Sequence, residues 1–353
     1  MINSSFYFPA EWEKHEATWL TWPQNTATWE TKLETVRKIW VEMISHLSQH
    51  ETVHLLVNDK ATADDVTKRL EQANVSSTSA PSHERTIAPV ILHLFPTNDC
   101  WMRDCGPIFV KNKEGKIGLT DWEFNMWGGK YPPWDDDNRV PSRVYDYYKA
   151  RNFSYFKTNI VMEGGSLDGN GAGTLLTTES CLLNKNRNPH LSKTEIENIL
   201  KKYLGVTNII WLGEGIVGDD TDGHVDDITR FVNKNTIITM VEENKNDPNF
   251  IHLDHNLKLL EKTKDQDGNP LNIVPIQMPI PVTDQGLRLP ASYANFYIGN
   301  GVVLVPIFDC KYDDKALETL QKLFPNRKVI GIRCNDVVWG LGAIHCVTQQ
   351  QPA

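Results

Sequence analysis

Asp227-Ile-Thr-Arg-Phe-Val-Asn-Lys-Asn-Thr-Ile-Ile-Thr-Met240 holds two β-branched, apolar runs separated by a short turn at Asn233 to Asn235. Asparagine tolerates the left-handed backbone of a tight turn, so two such runs on either side of it favour an antiparallel hairpin. The same shape recurs three times. One copy is Asp104-Cys-Gly-Pro-Ile-Phe-Val110 with a turn near Asn112 to Gly115, and another is Gly165 to Asp168, a turn at Gly169 to Gly173, then Thr174-Leu-Leu-Thr177. The last is Ala294 to Ile298, a turn at Gly299 to Gly301, then Val302-Val-Leu-Val305. The turns lie roughly sixty residues apart, longer than the periods of solenoid repeats.

Helices are expected between the hairpins. Thr31 to His50 sets Leu33, Val36, Trp40, Met43 and Leu47 at three- and four-residue steps, the spacing of one buried helical face. Ser192-Lys-Thr-Glu195 is a capping box opening Ile196 to Leu204, with Gly205 to close the helix. Ala61 to Leu70, Pro141 to Lys149, Asn256 to Lys262 and Asp314 to Phe324 complete the set. The unit is therefore hairpin, helix, strand, an α/β arrangement whose copies form either an open stack or a closed ring. No linker or low-complexity tract divides the chain, so one domain over residues 1–353 is expected.

Composition narrows the function. The chain of 353 residues has 45 acidic and 36 basic side chains, a formal charge of −9. That balance excludes a nucleic-acid binder driven by net positive charge. No apolar run is long enough to cross a bilayer, so no membrane partner is expected. The first residues lack the basic and apolar regions of a secretory leader, and a cytoplasmic location is expected. Six cysteines in so long a chain do not make a disulfide framework.

Four polar segments stand out: Thr97 to Pro107, Met162 to Ser166, Asp219 to Asp227 and Gly342 to Thr348. Each precedes or joins a strand, where loops gather catalytic groups. A metal cofactor is not expected. Cys100 and Cys105 lie five apart rather than in a zinc-closing pair, and His252 and His255 lack a nearby third ligand. With Gly223 at position six of a calcium loop, Gly218 and Thr229 fall where carboxylates are required. Gly169 to Gly173 has neither the lysine of a phosphate loop nor a third fingerprint glycine, and it reads as a turn.

Cys181, Cys310 and Cys334 read as small buried apolar residues. Cys346, beside a polar tail, is a candidate nucleophile, provided that a base or a cation favours its thiolate. His345 adjoins it, but neighbouring side chains in extended backbone face opposite ways, which makes His345 a poor partner and a structural residue. His224 is the better base. If residues 224 to 226 are extended, His224 and Asp226 share a face, and Asp226 with a second carboxylate could hold a planar guanidinium through parallel N–H bonds. Taken alone, the pair reads more readily as a surface loop; only the other polar segments weigh against that.

Pro9-Ala-Glu-Trp12 with His15, Thr18-Trp-Leu-Thr-Trp-Pro23, Asn98-Asp99, Trp101-Met-Arg-Asp-Cys-Gly-Pro107, Glu163-Gly-Gly-Ser166, Asp222-Gly-His-Val-Asp226 and Ile344-His-Cys-Val-Thr-Gln-Gln-Gln-Pro352 carry a resemblance. In this order the chain resembles the agmatine deiminases, a branch of the guanidine-modifying superfamily that includes bacterial peptidylarginine deiminases. The resemblance implies a pentein, a five-bladed α/β propeller of ββαβ units around a pseudo-fivefold axis, although only four copies are visible. It implies hydrolysis of agmatine to N-carbamoylputrescine and ammonia, a step toward putrescine and the polyamines, through a covalent thiouronium and without a cofactor. Cys346 would be the nucleophile and His224 the general acid/base. Asp104 and Asp226 would grip the guanidinium, Glu163 would orient or help charge His224, and Trp101 would line the pocket. For the distal ammonium of agmatine, Glu214, Asp219 and Asp220 are candidates. The stretch Trp339-Gly-Leu-Gly-Ala343 replaces some glycines of the family pattern. A deiminase of free or peptidyl arginine, a non-catalytic guanidine- or polyamine-binding propeller and a cysteine protease are alternatives, and a homodimer follows only by analogy.

Overall fold

The computed structural model describes residues 5–78 and 89–353, so the leader reading of the first four residues lies outside the described part. The repeated hairpins form as the turn chemistry predicts. Thr229–Asn233 runs antiparallel to Thr236–Val241, the chain crosses through helix Asn249–Leu260, and Asn272–Gln277 returns parallel to the second hairpin strand. The crossover helix is what allows a parallel return, which a tight turn cannot make.

The same order holds in three more sheets. Ile108–Asn112 and Ile117–Glu123 are followed by helix Val140–Tyr147 and strand Ser154–Val161. Asp168–Gly169 and Thr174–Thr178 are followed by helix Lys193–Leu204 and strand Asn208–Leu212. Tyr297–Ile298 and Val302–Ile307 are followed by helix Asp313–Leu323 and strand Lys328–Arg333. Ser192 and Glu195 make the expected reciprocal cap, and Gly205 ends that helix at φ 65°, where a Cβ would be strained.

A fifth sheet of this order is split between the two ends of the chain. Thr348–Pro352 pairs antiparallel with His15–Thr21, then helix Leu33–Leu47 leads to Thr52–Val57, parallel to His15–Thr21. Its antiparallel pair has no connecting turn, which is why turn chemistry reveals only four copies. Val90–Leu94 and Ser77–Thr78 extend this sheet. Helix Leu33–Leu47 buries Val36, Ile39, Trp40, Met43, Ile44 and Leu47, and Trp40 Nε1 donates to the carbonyl of Thr21 at 2.8 Å. Each such side chain contributes roughly 1.5 to 3 kcal/mol on burial. No helix among the described residues is long and apolar enough to cross a membrane.

Candidate active site

The five units place one turn each immediately before their first strand. These turns carry Asp104, Glu163 with Gly165, His224 with Asp226, Asn295, and Cys346. Residues 224 to 226 are not extended as the sequence reading supposed: His224 caps a 3-10 turn over Val225–Asp227. The curled backbone nevertheless brings both side chains to one point. A methyl group on Gly165 would meet His224 Nδ1 at 2.5 Å, Asp104 Oδ1 at 2.9 Å and Asp226 Oδ2 at 3.0 Å. With no side chain at Gly165, that space is taken by the imidazole and the two carboxylates themselves, which close on one point.

Cys346 lies beside the same space. Its Sγ is 3.8 Å from Asp226 Oδ2 and accepts an N–H bond from Asn295 Nδ2 at 3.1 Å. Asp104 accepts from the indole of Trp127 and the amide of Gly165, each at 3.0 Å. Glu163 receives Arg187 Nε at 2.6 Å on one oxygen. Its other oxygen, both ring nitrogens of His224 and Oδ1 of Asp226 are buried with no hydrogen-bond partner among the described residues. Buried polar atoms left unpaired are costly, so this concentration of them marks a place built for something else to bind.

Electrostatics point the same way. Burial, then Glu163, raises Asp104 to about 7. Burial, then Asp104, drives Asp226 well above the usual carboxylate range, and burial with Asp226, Asp227 and Asp104 lifts the Cys346 thiol well above its ordinary value. Burial, then Arg187, holds His224 well below the usual imidazole range. In the free site, burial therefore opposes charge on the thiol, on the imidazole and on Asp104 and Asp226 alike.

His345 is structural in a specific way. Nδ1 lies 2.6 Å from Asp226 Oδ2 and Nε2 lies 2.8 Å from Glu11 Oε2. Burial with Arg103 and Arg230 nearby opposes a charged ring, so the shared proton on the Asp226 side belongs to the acid. Glu11 also pairs with Arg230 at 2.9 Å and Arg103 at 3.4 Å, which explains the buried Glu11 of the Pro9 to Trp12 segment.

A cavity of about 830 Å³ opens onto Cys346 and Asp104 and is walled by Trp101, Trp127 and Tyr131. That volume lies within the usual range for a small-molecule site. Trp101 and Trp127 meet edge to face, with ring centroids 6.0 Å apart. Of the three tail candidates, Asp220 lines the cavity and accepts from Tyr131, with Lys130 Nζ 3.3 Å away. Asp219 is committed to its own loop, accepting from the amides of Thr221, Gly223 and His224. Glu214 is exposed and outside the residues lining the cavity. Asn295, Trp127 and Arg187 escaped the sequence reading. Asn295 could have been found by asking which polar residue precedes the strand of the Ala294 unit; Trp127 and Arg187 reach the site through tertiary packing and left no local signal.

An α/β fold of repeated units with a thiol, an imidazole and acids at their strand entries is that of a guanidine-modifying protein, and comparison with known proteins agrees. The chain belongs to the Porphyromonas-type peptidyl-arginine deiminase family, whose model matches residues 7–352. Its relatives include an agmatine deiminase of Ectopseudomonas mendocina, 35% identical over 99% of this chain and 96% of that one. An agmatine deiminase of Medicago truncatula is 36% identical over the same shares. Among solved structures, the agmatine deiminase of Enterococcus faecalis is similar with a TM-score of 0.87 and 32% identity, covering 99% of this chain and 96% of that one. An amidinotransferase of Microseira wollei, at 11% identity and a TM-score of 0.54, shares the fold alone, over 97% of this chain and 95% of its own.

Proposed function

We propose that this protein is an agmatine deiminase, hydrolysing the guanidinium of agmatine to N-carbamoylputrescine and ammonia. The observation that carries the reading is the group of unpaired buried polar atoms on Glu163, His224 and Asp226, with His224 and Asp226 meeting at Gly165 and the Cys346 sulfur beside Asp226. A guanidinium is flat, cationic and rich in N–H donors, which suits the unpaired Oδ1 of Asp226 and the remaining lone pairs of Asp104. Near-full-length similarity to named agmatine deiminases supports the substrate.

In this mechanism the arriving cation changes the titration of the site. A positive charge between Asp104 and Asp226 favours their ionised forms and that of the neighbouring thiol. The Cys346 proton passes to His224, and the thiolate adds to the guanidinium carbon. Protonated His224 then gives that proton to the departing nitrogen, the C–N bond breaks, ammonia leaves, and a thiouronium remains on Cys346. Neutral His224 next takes a proton from water, hydroxide adds to the carbon, and the C–S bond breaks to return the sulfur with a ureido product. Glu163, fixed by Arg187, orients His224, and Asn295 supports the sulfur anion with its N–H. Asp220 receives the distal ammonium through the cavity. The five units stand as blades of one propeller around a pseudo-fivefold axis, within a single catalytic domain spanning residues 1–353.

Turnover tests the reading. Agmatine is expected to release ammonia and a ureido product with much higher kcat/KM than arginine or a blocked arginine peptide. Equal or greater turnover of either arginine substrate would reassign the specificity, and no turnover of any of the three would reject a deiminase.

A further inference from the structure

Cys181, read from sequence as a core thiol, lies behind the reacting groups. It sits in the short helix Glu179–Leu182, whose cap Thr178 accepts from the Cys181 amide at 3.3 Å and donates to the carbonyl of Gly223 at 2.5 Å. That links the turn to the loop bearing His224. The Cys181 sulfur, a carboxylate oxygen of Glu163 and a ring nitrogen of His224 all lie within 4.8 Å of one another, and all three residues are buried. One oxygen of Glu163 and both nitrogens of His224 are also unpaired.

We propose that Glu163, Cys181 and His224 form a binding site for Zn²⁺, and that its occupation switches the enzyme off. This rests on the deiminase reading, because inhibition follows from removing His224 from proton transfer. A thiolate, an imidazole and a carboxylate are the ligand types that select zinc over magnesium or calcium, and three protein ligands leave a fourth position for water. Tetrahedral arms of about 2.0 to 2.3 Å put ligand atoms roughly 3.3 to 3.8 Å apart, so the present cluster needs to contract by only about an ångström. On binding, the Cys181 S–H bond breaks, its proton goes to solvent, and a Zn–S bond forms. The Cys181 thiolate, Glu163 and Asp222 together balance the ion and the Arg187 guanidinium that pairs with both acids, while His224 enters as neutral imidazole. The nucleophile Cys346 takes no part, so zinc acts here as an inhibitor rather than a cofactor.

Binding and activity are read separately. Cys181→Ala is expected to keep turnover close to that of the parent protein. Zinc should inhibit the parent reversibly, with activity restored by EDTA, and inhibit Cys181→Ala about tenfold or more weakly, since losing even an outer partner of a metal ligand costs that much. Cys346→Ala protein should still bind one Zn²⁺ per chain. With Co²⁺ as probe, it should show a thiolate-to-cobalt charge-transfer band that disappears in the Cys346→Ala, Cys181→Ala double variant. Unchanged zinc sensitivity in Cys181→Ala would overturn the site. So would the absence of zinc or of the cobalt band in Cys346→Ala, a protein that retains Cys181 whatever the fate of the other variant. Because zinc content and the cobalt spectrum need no turnover, they stand or fall apart from the deiminase reading.

Discussion

Gly165 is where the chemistry of single residues is most exposed to test. Nothing about its backbone demands glycine through a positive φ, since it is absent from the residues with left-handed backbone. Space is the requirement, because the missing side chain is what His224, Asp104 and Asp226 enclose. Gly165→Ala is expected to lower kcat/KM by about a hundredfold or more, since displacement of reacting groups by an ångström costs that much, with the protein still folded by circular dichroism. Near-normal kinetics would mean that the guanidinium sits elsewhere. Asp104 makes a second prediction. Its pKa rises on folding from the ordinary 3.8 to about 7, so its contribution to stability is fully present below the lower value and is lost as pH rises through the upper one. Asp137, pushed by burial to about 8, acts in the same direction. The Tm of the free protein should therefore fall from about pH 5 to pH 8 through this contribution, while the stabilisation given by agmatine grows over the same range, because binding needs the ionised acid. A ligand effect that shrinks with rising pH would contradict the pairing. At this scale the motifs named Cys346, His224, Asp104, Asp226, Glu163 and Trp101, which remain the proposed site residues. The sequence reading had no means of separating Asp220 from Asp219, because which of two adjacent acids caps its own loop is decided by backbone folding.

Elements were legible wherever local chemistry decides them. Apolar steps of three and four fixed the inner face of helix Leu33–Leu47, and Asn and Gly fixed the four tight turns. The helix expected from Asn256 begins earlier, at Asn249; its first turn carries exposed Ile251 and half-buried His252, so no apolar stripe announced it. The pairing of Thr348–Pro352 with His15–Thr21 could not be read at all, since no local turn records a contact between the chain ends. That pairing positions Cys346, two residues before the strand. Within it, Gln351 Oε1 accepts the indole N–H of Trp19 at 2.8 Å with both residues buried. Gln351→Ala is expected to cost about 1 to 3 kcal/mol by leaving that donor unpaired, with kcat nearly unchanged. Denaturant unfolding beside a turnover assay checks this. A loss of kcat without a loss of stability would give Gln351 a part in the site itself.

Across the whole molecule, function depends on five turns from distant stretches of chain arriving at one place. Each turn contributes little alone: an amide donor, one or two acids, an imidazole, a thiol. Burial opposes charge on the resting thiol and imidazole, and under the proposed mechanism the substrate's own charge releases the nucleophile, which couples reactivity to recognition. The net charge of −9 explains little of this, because the acids that matter are the buried ones within the units rather than those spread over the surface. The most direct measurement is rapid acid quenching of the protein during agmatine turnover, followed by mass spectrometry of its peptides. An N-(4-aminobutyl)amidino adduct confined to the peptide bearing Cys346, and lost together with ammonia release in Cys346→Ala, is the expected result. Ammonia release that persists in that variant, or an adduct on another cysteine, would contradict it.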